Sequence, residues 1–302
     1  MIFNKIAIIG IGLIGSSLAH KIKETGCAGE IALYDSNEIV RKRANELSLG
    51  NVYDNYKEFL KSADLVILCT PSGAMGNVAK EILPFIESGT ILSDVGSVKG
   101  AIIKEIQEFL PPSIHFVPAH PIAGTELSGP DAGFASLFEN RWSIITPLEN
   151  DSDEYQKAVE KIQEFWQKMG ANVENMTPER HDLVLAMTSH IPHLIAFCIV
   201  TTAEDMENLT ESEVVKYSAG GFRDFTRIAA SDPTMWRDVF LLNKDAVMEI
   251  LGRFSEDLTA LRRAIRWDDG DTLFETITRA RRMRKEVIDA GQDNDKPNFG
   301  RN

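Results

Sequence analysis

Six residues near the start of the chain, Gly10-Ile11-Gly12-Leu13-Ile14-Gly15, follow an unbroken apolar run, Ile6-Ala7-Ile8-Ile9, and open a helical pattern. A strand apolar on both faces belongs inside a sheet covered on both sides, which is the setting of parallel strands. At such a strand-to-helix turn the first glycine makes the bend, the second lets the backbone approach a pyrophosphate, and the third lets helix pack on strand. The helix N-terminus then favours the anion. Gly10, Gly12, Leu13, Ile14 and Gly15 are therefore the expected cofactor contacts. Asp35 closes the next strand candidate, twenty residues after Gly15, where a carboxylate accepts hydrogen bonds from a ribose 2′-hydroxyl and repels a 2′-phosphate. The expected cofactor is NAD, with Arg41 and Arg43 close enough in sequence to leave NADP open.

The same alternation continues, with strand candidates at 5–10, 30–35, 64–70, 90–96, 115–120 and 142–147 separated by helix-length segments. This pattern specifies a parallel sheet wrapped by helices. A helix over 153–169 and a strand over 171–176 complete the unit. After Thr177-Pro178-Glu179, a helix start with proline in its first turn, strand signals stop. Helices are expected over 179–205, kinked at Pro192, and over 211–217, 233–259 and 271–290. The expected architecture is an α/β Rossmann-type dinucleotide-binding domain with a mostly parallel sheet, residues 1–176, followed by an all-α domain, residues 177–302.

A formal net charge of -13 over 302 residues argues against a nucleic-acid partner, which needs a broad basic surface. Cys27, Cys69 and Cys198 are odd in number, widely spaced and without metal-ligand spacing, as suits a reduced, cytoplasmic chain. The opening residues mimic a secretion signal up to Ala19, but the glycines are better explained by a strand and turn, so the segment is expected in the mature protein. The longest apolar stretch, 194–200, is too short to cross a bilayer, and no membrane partner is expected.

Chemistry-bearing residues fall where open α/β sheets bind ligands, past the carboxyl ends of strands. Thr70-Pro71 follows one candidate strand and Ser97 follows the next, each either a nicotinamide contact or a helix cap. His120 ends another, on a turn fixed by Pro121 and Gly124, and a titratable imidazole there suits catalysis. In the helical half, Ser189-His190-Ile191-Pro192-His193 places two imidazoles on one helix face. With no third ligand in evidence the expectation is a polar substrate wall and no metal, against half-exposed histidines flanking a kink. Arg223 and Arg227, on a segment led by Gly220-Gly221, suit carboxylate recognition by a planar guanidinium fork, or else pair with Asp224 or Asp238.

Taken in order, the Gly10 to Gly15 turn with Asp35, Asp94 to Lys99, His120 to Glu126, Ser189 to His193, and Gly220 to Asp238 resemble the consecutive motifs of the prephenate and arogenate dehydrogenase family of tyrosine biosynthesis. The glycine turn is widely shared; His-Pro-Ile-Ala-Gly-Thr-Glu, Ser-His-Ile-Pro-His and Phe-Arg-Asp-Phe-Thr-Arg together are specific. The resemblance implies that His120 accepts the proton of the substrate ring hydroxyl, that Ser97 links it to the nicotinamide, and that Arg227 holds a substrate carboxylate. It also implies that His193 lines the pocket with Thr125 and Glu126 beside it, and that the partners are prephenate or arogenate and a second copy of the chain, joined through the helical half. Arg223 resembles a residue that reaches across that dimer, where the family often carries lysine. The chain resembles the family's minimal two-domain form. Two other readings stay open: a β-hydroxy acid dehydrogenase, for which Lys99 would be poorly placed as the catalytic lysine, and a non-catalytic dinucleotide sensor.

Overall fold

The computed structural model describes residues 1–125, 127–150, 152–210 and 217–289. The chain divides into two compact units, Met1–Val247 and Met248–Asn302.

In the first unit, strands β1 (Phe3–Ile9), β2 (Ala28–Tyr34), β3 (Asn51–Val52), β4 (Leu65–Leu68), β5 (Ile91–Asp94) and β6 (His115–Phe116) form one sheet in the order β3-β2-β1-β4-β5-β6. Every pairing in it is parallel. This is the doubly wound Rossmann order, with its switch point between β1 and β4. The sheet is flanked by α1 (Leu13–Thr25), α2 (Glu38–Glu46), α3 (Tyr56–Leu60), α4 (Met75–Ile82) and α5 (Gly100–Gln107). Because side chains alternate along a strand, Ile6 and Ile8 of β1 enter one apolar layer with Leu18 and Ile22, while Ala7 and Ile9 enter another with Met75, Ile82 and Ile106. Both layers are fully buried at β1, as its uninterrupted apolar sequence requires.

The single strand expected over 115–120 is two strands in two sheets. β6 ends at Phe116, and β7 (Ala119–Pro121) pairs antiparallel with β8 (Trp142–Ile145), which pairs parallel with β9 (Asn172–Asn175). Pro118 has no N–H to donate, so the ladder of the first sheet stops at Val117, whose N–H meets Leu92 O at 2.8 Å; the Pro118 carbonyl then accepts from Thr146 N at 3.0 Å in the second sheet. His120 is therefore the middle residue of β7, opposite Ile144, rather than the end of a strand in the large sheet. Helix α6 (Asp153–Lys168) packs Phe165 and Trp166 into the first layer.

Beyond β9 the elements are helical. Thr177 caps α7 (Pro178–Leu185) through Arg180 N–H, with Pro178 in the first turn. A π-turn, Ala186–His190, joins α7 to α8 (Ile191–Thr210) just before Pro192, and a widened turn there absorbs the proline. Pro178–Met206 is, by length and composition, apolar enough to cross a membrane, which the 194–200 run alone does not suggest. The helix nevertheless buries His181, Asp182 and His190 within the first unit, Asp182 accepting from α5 backbone, so it is a helix of the site. Next come α9 (Gly220–Thr226), a 3-10 turn at Arg227–Ala230, and α10 (Pro233–Leu242). The helix expected over 233–259 breaks at Asn243, and α11 (Lys244–Arg266) follows, then α12 (Gly270–Asp289). The helix expected over 211–217 lies, but for Tyr217, outside the described residues.

Candidate active site

The glycine turn is built as the sequence demands. Gly10 has φ +93, and a Cβ there would meet Cys69 backbone at 2.7 Å; a Cβ on Gly15 would meet Gly10 O at 2.0 Å. Gly12, at the N-cap of α1, has nothing within 4 Å of a Cβ. The protein itself does not require glycine at that position, whereas a pyrophosphate approaching the backbone does. Leu13 and Ile14 are half-buried behind it. Asp35 sits beside the turn, Oδ2 accepting from Ile11 N and Oδ1 from Asn37 N, both at 2.9 Å. These residues fit a dinucleotide.

Both nearby arginines already have partners. Arg41 Nη1 donates to Asp35 O at 2.6 Å and Ser36 O at 3.1 Å; Arg43 grips Asp131 through Nε and Nη2 and reaches Glu46. Arg43 is held at Asp131, while Arg41 stays beside Asp35, so it is the Asp35 carboxylate that disfavours a 2′-phosphate. With substrate saturating, kcat/KM for NADP is expected to be at least ~100-fold below that for NAD, the scale of one uncompensated charge contact; equal values would remove Asp35 from cofactor choice.

The turns after β4 and β5 lose their capping alternative. Thr70 Oγ1 is buried without a hydrogen-bond partner among the described residues, and Pro71, exposed, begins the next turn with no side-chain cap. Ser97 is half-buried, and the first backbone N–H groups at the start of α5 are capped from elsewhere: Asp182 accepts from Lys99 N and Gly100 N, both at 2.8 Å.

His120 is held from both sides. Lys99 Nζ, fully buried, pairs with Asp94 and donates to Ala119 O at 2.7 Å, while Asp94 accepts from Gly96 N at 2.8 Å and Ala119 N at 3.3 Å. The peptide before His120 is thus clamped to the end of β5. Burial pushes the Lys99 ammonium down and Asp94 opposes it. On the ring side, His120 Nδ1 lies 2.8 Å from His181 Nε2, and His181 Nδ1 lies 2.8 Å from Asp182 Oδ1. Burial first, then His181, Lys99 and His190, lower the His120 pKa well below the usual imidazole value. Burial lowers His181 as well, against the pull of Asp182. For Asp182 burial acts upward, but His181 and the two backbone donors outweigh it and keep the carboxyl below its usual range.

His181 and Asp182 carry no signal that sequence reading singled out. They lie in the first turns of α7, His181 sixty-one residues from His120, and only the fold says what they face. Asn243 is a third such residue. Asp182 O can only accept, so the Asn243 atom 2.8 Å from it is the amide nitrogen, whose second hydrogen meets His190 Nδ1 at 3.1 Å. His190 therefore carries its proton on Nε2, a buried donor without a partner among the described residues.

His193 stacks on Trp236, ring centroids 3.7 Å apart, and its Nδ1 donates to Ser189 O at 2.8 Å, leaving Nε2 as the open ring nitrogen. Burial lowers its pKa, opposed by the Ser189 carbonyl and aided by the charge of Arg227; the 3-10 turn that Arg227 opens packs against α8, which carries His193. Arg223 instead is exposed and 3.5 Å from Asp224. Asp238 is taken by Arg237. Thr125 is exposed, its Oγ1 accepting from Leu127 N at 3.2 Å, and Glu126 lies outside the described residues. His120 and His190 thus lie in one buried polar network, with Ser189, His193 and Arg227 on the adjoining wall; Arg223 and Thr125 are not brought to it.

A stability prediction follows from His190, whose pKa burial pushes down to about 4. Below the unfolded value of 6.5 the unfolded chain binds the extra proton, so stability is full above pH 6.5 and is lost as pH falls from there towards 4. The loss from this residue is about 3 kcal/mol, and His120 and His181 add in the same direction. Tm should drop steeply between pH 7 and pH 5, less so in His190→Gln; a flat profile would contradict the buried neutral state.

A dinucleotide turn at a doubly wound switch point, with a buried imidazole network on the adjoining sheet and helices, defines a nicotinamide-dependent dehydrogenase. Residues 18–175 match the prephenate dehydrogenase nucleotide-binding domain and residues 177–279 the prephenate dehydrogenase dimerization domain. The chain is 44% identical to the cyclohexadienyl dehydrogenase of Zymomonas mobilis over 94% of its own length and 96% of that protein's. It is 34% identical to the prephenate dehydrogenase of Bacillus subtilis over 93% and 75%. Its structure resembles the prephenate dehydrogenase of Aquifex aeolicus crystallised with hydroxyphenyl propionate and NAD+, at TM-score 0.87 and 34% identity, covering 94% of this chain and 98% of that one. The chain belongs to the prephenate dehydrogenase family.

Proposed function

We propose that this chain catalyses the NAD-dependent oxidative decarboxylation of prephenate to 4-hydroxyphenylpyruvate, and that arogenate, giving tyrosine, is a second substrate of the same site. The observation that carries the assignment of roles is the buried His120, with Nδ1 engaged by His181 and only Nε2 left to meet a substrate. The Aquifex aeolicus relative, crystallised with NAD+ and hydroxyphenyl propionate, supports the same substrate class, since that ligand carries a ring hydroxyl and a side-chain carboxylate.

Bound beside Gly12 and Asp35, NAD supplies the acceptor for a hydride from C4 of the ring. His120 Nε2 takes the C4 hydroxyl proton as that carbon is oxidised. The C1–carboxylate bond then breaks, CO2 leaves, and its electron pair aromatises the ring, returning negative charge to the C4 oxygen; His120 gives the proton back to it. Ser97 positions His120 against the nicotinamide, and Thr70 and Pro71 border that end. Arg227 pairs with the substrate side-chain carboxylate, and His193, His190 and Ser189 form the polar wall, His190 offering its Nε2–H. Arg223 acts across a dimer, and Thr125 with Glu126 borders the pocket. Positioning and one base suffice, because aromatisation drives the reaction.

Residues 1–176 act as the dinucleotide-binding domain and 177–302 as the substrate-binding and dimerisation domain. The second unit exposes Leu258, Ile265, Trp267, Phe274 and Ile277, with Trp267 72% accessible, and so wide an apolar display favours a homodimer; sedimentation should give twice the chain mass. The described cysteines are free, in keeping with a cytoplasmic location. Lys99 is buried in an ion pair, which disfavours a lysine-dependent β-hydroxy acid dehydrogenase. Mixing the protein with NAD and prephenate, then with arogenate, and following NADH absorbance tests the assignment. A dinucleotide sensor gives no signal with either.

A further inference from the structure

His120, His181 and Asp182 form a directed chain whose protons can be placed from the acceptors alone. Asp182 receives Lys99 N–H and Gly100 N–H at the start of α5, so its carboxylate is held as an acceptor by groups that cannot rotate away. His181 Nδ1 must then carry the hydrogen shared with Asp182 Oδ1, which leaves His181 Nε2 as an acceptor. The His120 Nδ1 it meets at 2.8 Å is therefore the donor, and His120 Nε2 is left with its lone pair. Each step fixes the tautomer of the next.

We propose that His181 and Asp182 are the positioning and charge-sharing partners of His120, holding it as the Nε2 base and taking up its positive charge during turnover. The proposal rests on the reading of His120 as the base. When the substrate O–H bond breaks and an N–H bond forms at His120 Nε2, the Nδ1 proton passes to His181 Nε2, and the imidazolium rests against the Asp182 carboxylate. The transfers reverse when the ring oxygen takes its proton back, so no proton is gained or lost. The other charged or titratable groups around His120 are Lys99 and Asp94, from the turn after β5, and His190, from the π-turn. Lys99 and His190 oppose a cation on His120, and Lys99 is itself paired with Asp94. Asp182 is thus the carboxylate that reaches His120 through a ring. Asn243, bridging Asp182 O and His190 Nδ1, holds the helix that carries this pair.

Two variants and one spectrum test it. His181→Gln keeps an acceptor for His120 Nδ1–H and leaves Asp182 on α5, but cannot accept a proton. Asp182→Asn puts an amide where both oxygens must accept. Both should lower kcat by roughly 100-fold, the scale of an impaired base, with KM for prephenate and Kd for NAD within about 3-fold of wild type. In Asp182→Asn the acid limb of kcat/KM should also move to lower pH, because the carboxylate no longer supports the cation. A limb left at its wild-type position, or wild-type kcat in His181→Gln, would overturn the proposal. Independently of any variant's folding, the 15N spectrum of wild-type histidines, with His120 assigned by its loss in His120→Asn, should show the Nδ1–H tautomer; an Nε2–H tautomer overturns the relay. If His120→Asn is itself active, the base assignment fails first; if it is inactive while both neighbours behave as wild type, only the relay fails.

Discussion

His120→Asn is expected to lower kcat by roughly 1,000-fold or more while leaving KM for prephenate and Kd for NAD nearly unchanged. The replaced imidazole stands in the middle of β7, whose backbone pairs with β8 whatever the side chain, so the strand and the cofactor turn survive the change. An amide cannot accept a proton at neutral pH, and loss of a base that acts in the transition state appears in kcat, on the order of 100- to 10,000-fold. Burial, His181, Lys99 and His190 keep His120 uncharged through neutral pH, so the base form is fully present at pH 7 and the wild-type acid limb should fall below 6.5. Steady-state NADH formation, with NAD titrated separately by quenching of protein fluorescence, makes the measurement. A kcat within ten-fold of wild type would remove His120 from the chemistry.

The scaffold was legible because its constraints are local. The run at β1 is apolar on both faces, Gly10 and Gly15 answer two close backbone contacts at one turn and Gly12 keeps its outer side open, so strand, turn and helix follow from neighbouring residues. Where the reading missed, the cause was a local break or a distant contact. Pro118 divides one expected strand between two sheets because it lacks an N–H. Asn243 breaks one expected helix where its amide serves Asp182 and His190, a use no propensity encodes.

The site divides in the same way. A histidine followed by turn-forming residues, such as His120 before Pro121 and Gly124, or histidines in a compact motif, such as His190 and His193, stand out in sequence. His181 and Asp182 become visible only when α7 is laid against α5 and β7. Conversely, the sequence leaves Thr70 and Ser97 open between cap and ligand contact; Asp182 occupies the start of α5, and Thr70 Oγ1 has no partner among the described residues, so neither caps a helix.

Arg227→Ala is expected to raise KM for prephenate about 30-fold, close to 2 kcal/mol, with kcat changed far less. Arg227 opens the 3-10 turn after α9, beside α8, and its charge reaches His193, whose pKa it lowers. A hydrogen bond to a charged group contributes about 1.5–3 kcal/mol, and because Arg227 is exposed the middle of that range is the better expectation than the larger cost of an orphaned buried pair. Removing the guanidinium also lifts its repulsion from His193, so the His193 pKa should rise. Arg227→Lys keeps the charge but loses the two-pronged carboxylate contact, and its KM should lie between the two. Hydroxyphenyl propionate provides a probe free of chemistry: its affinity should fall with the same ranking, wild type, lysine, alanine, while Kd for NAD stays constant. Equal affinity in all three would mean that Arg227 shapes the wall through His193 and holds no carboxylate.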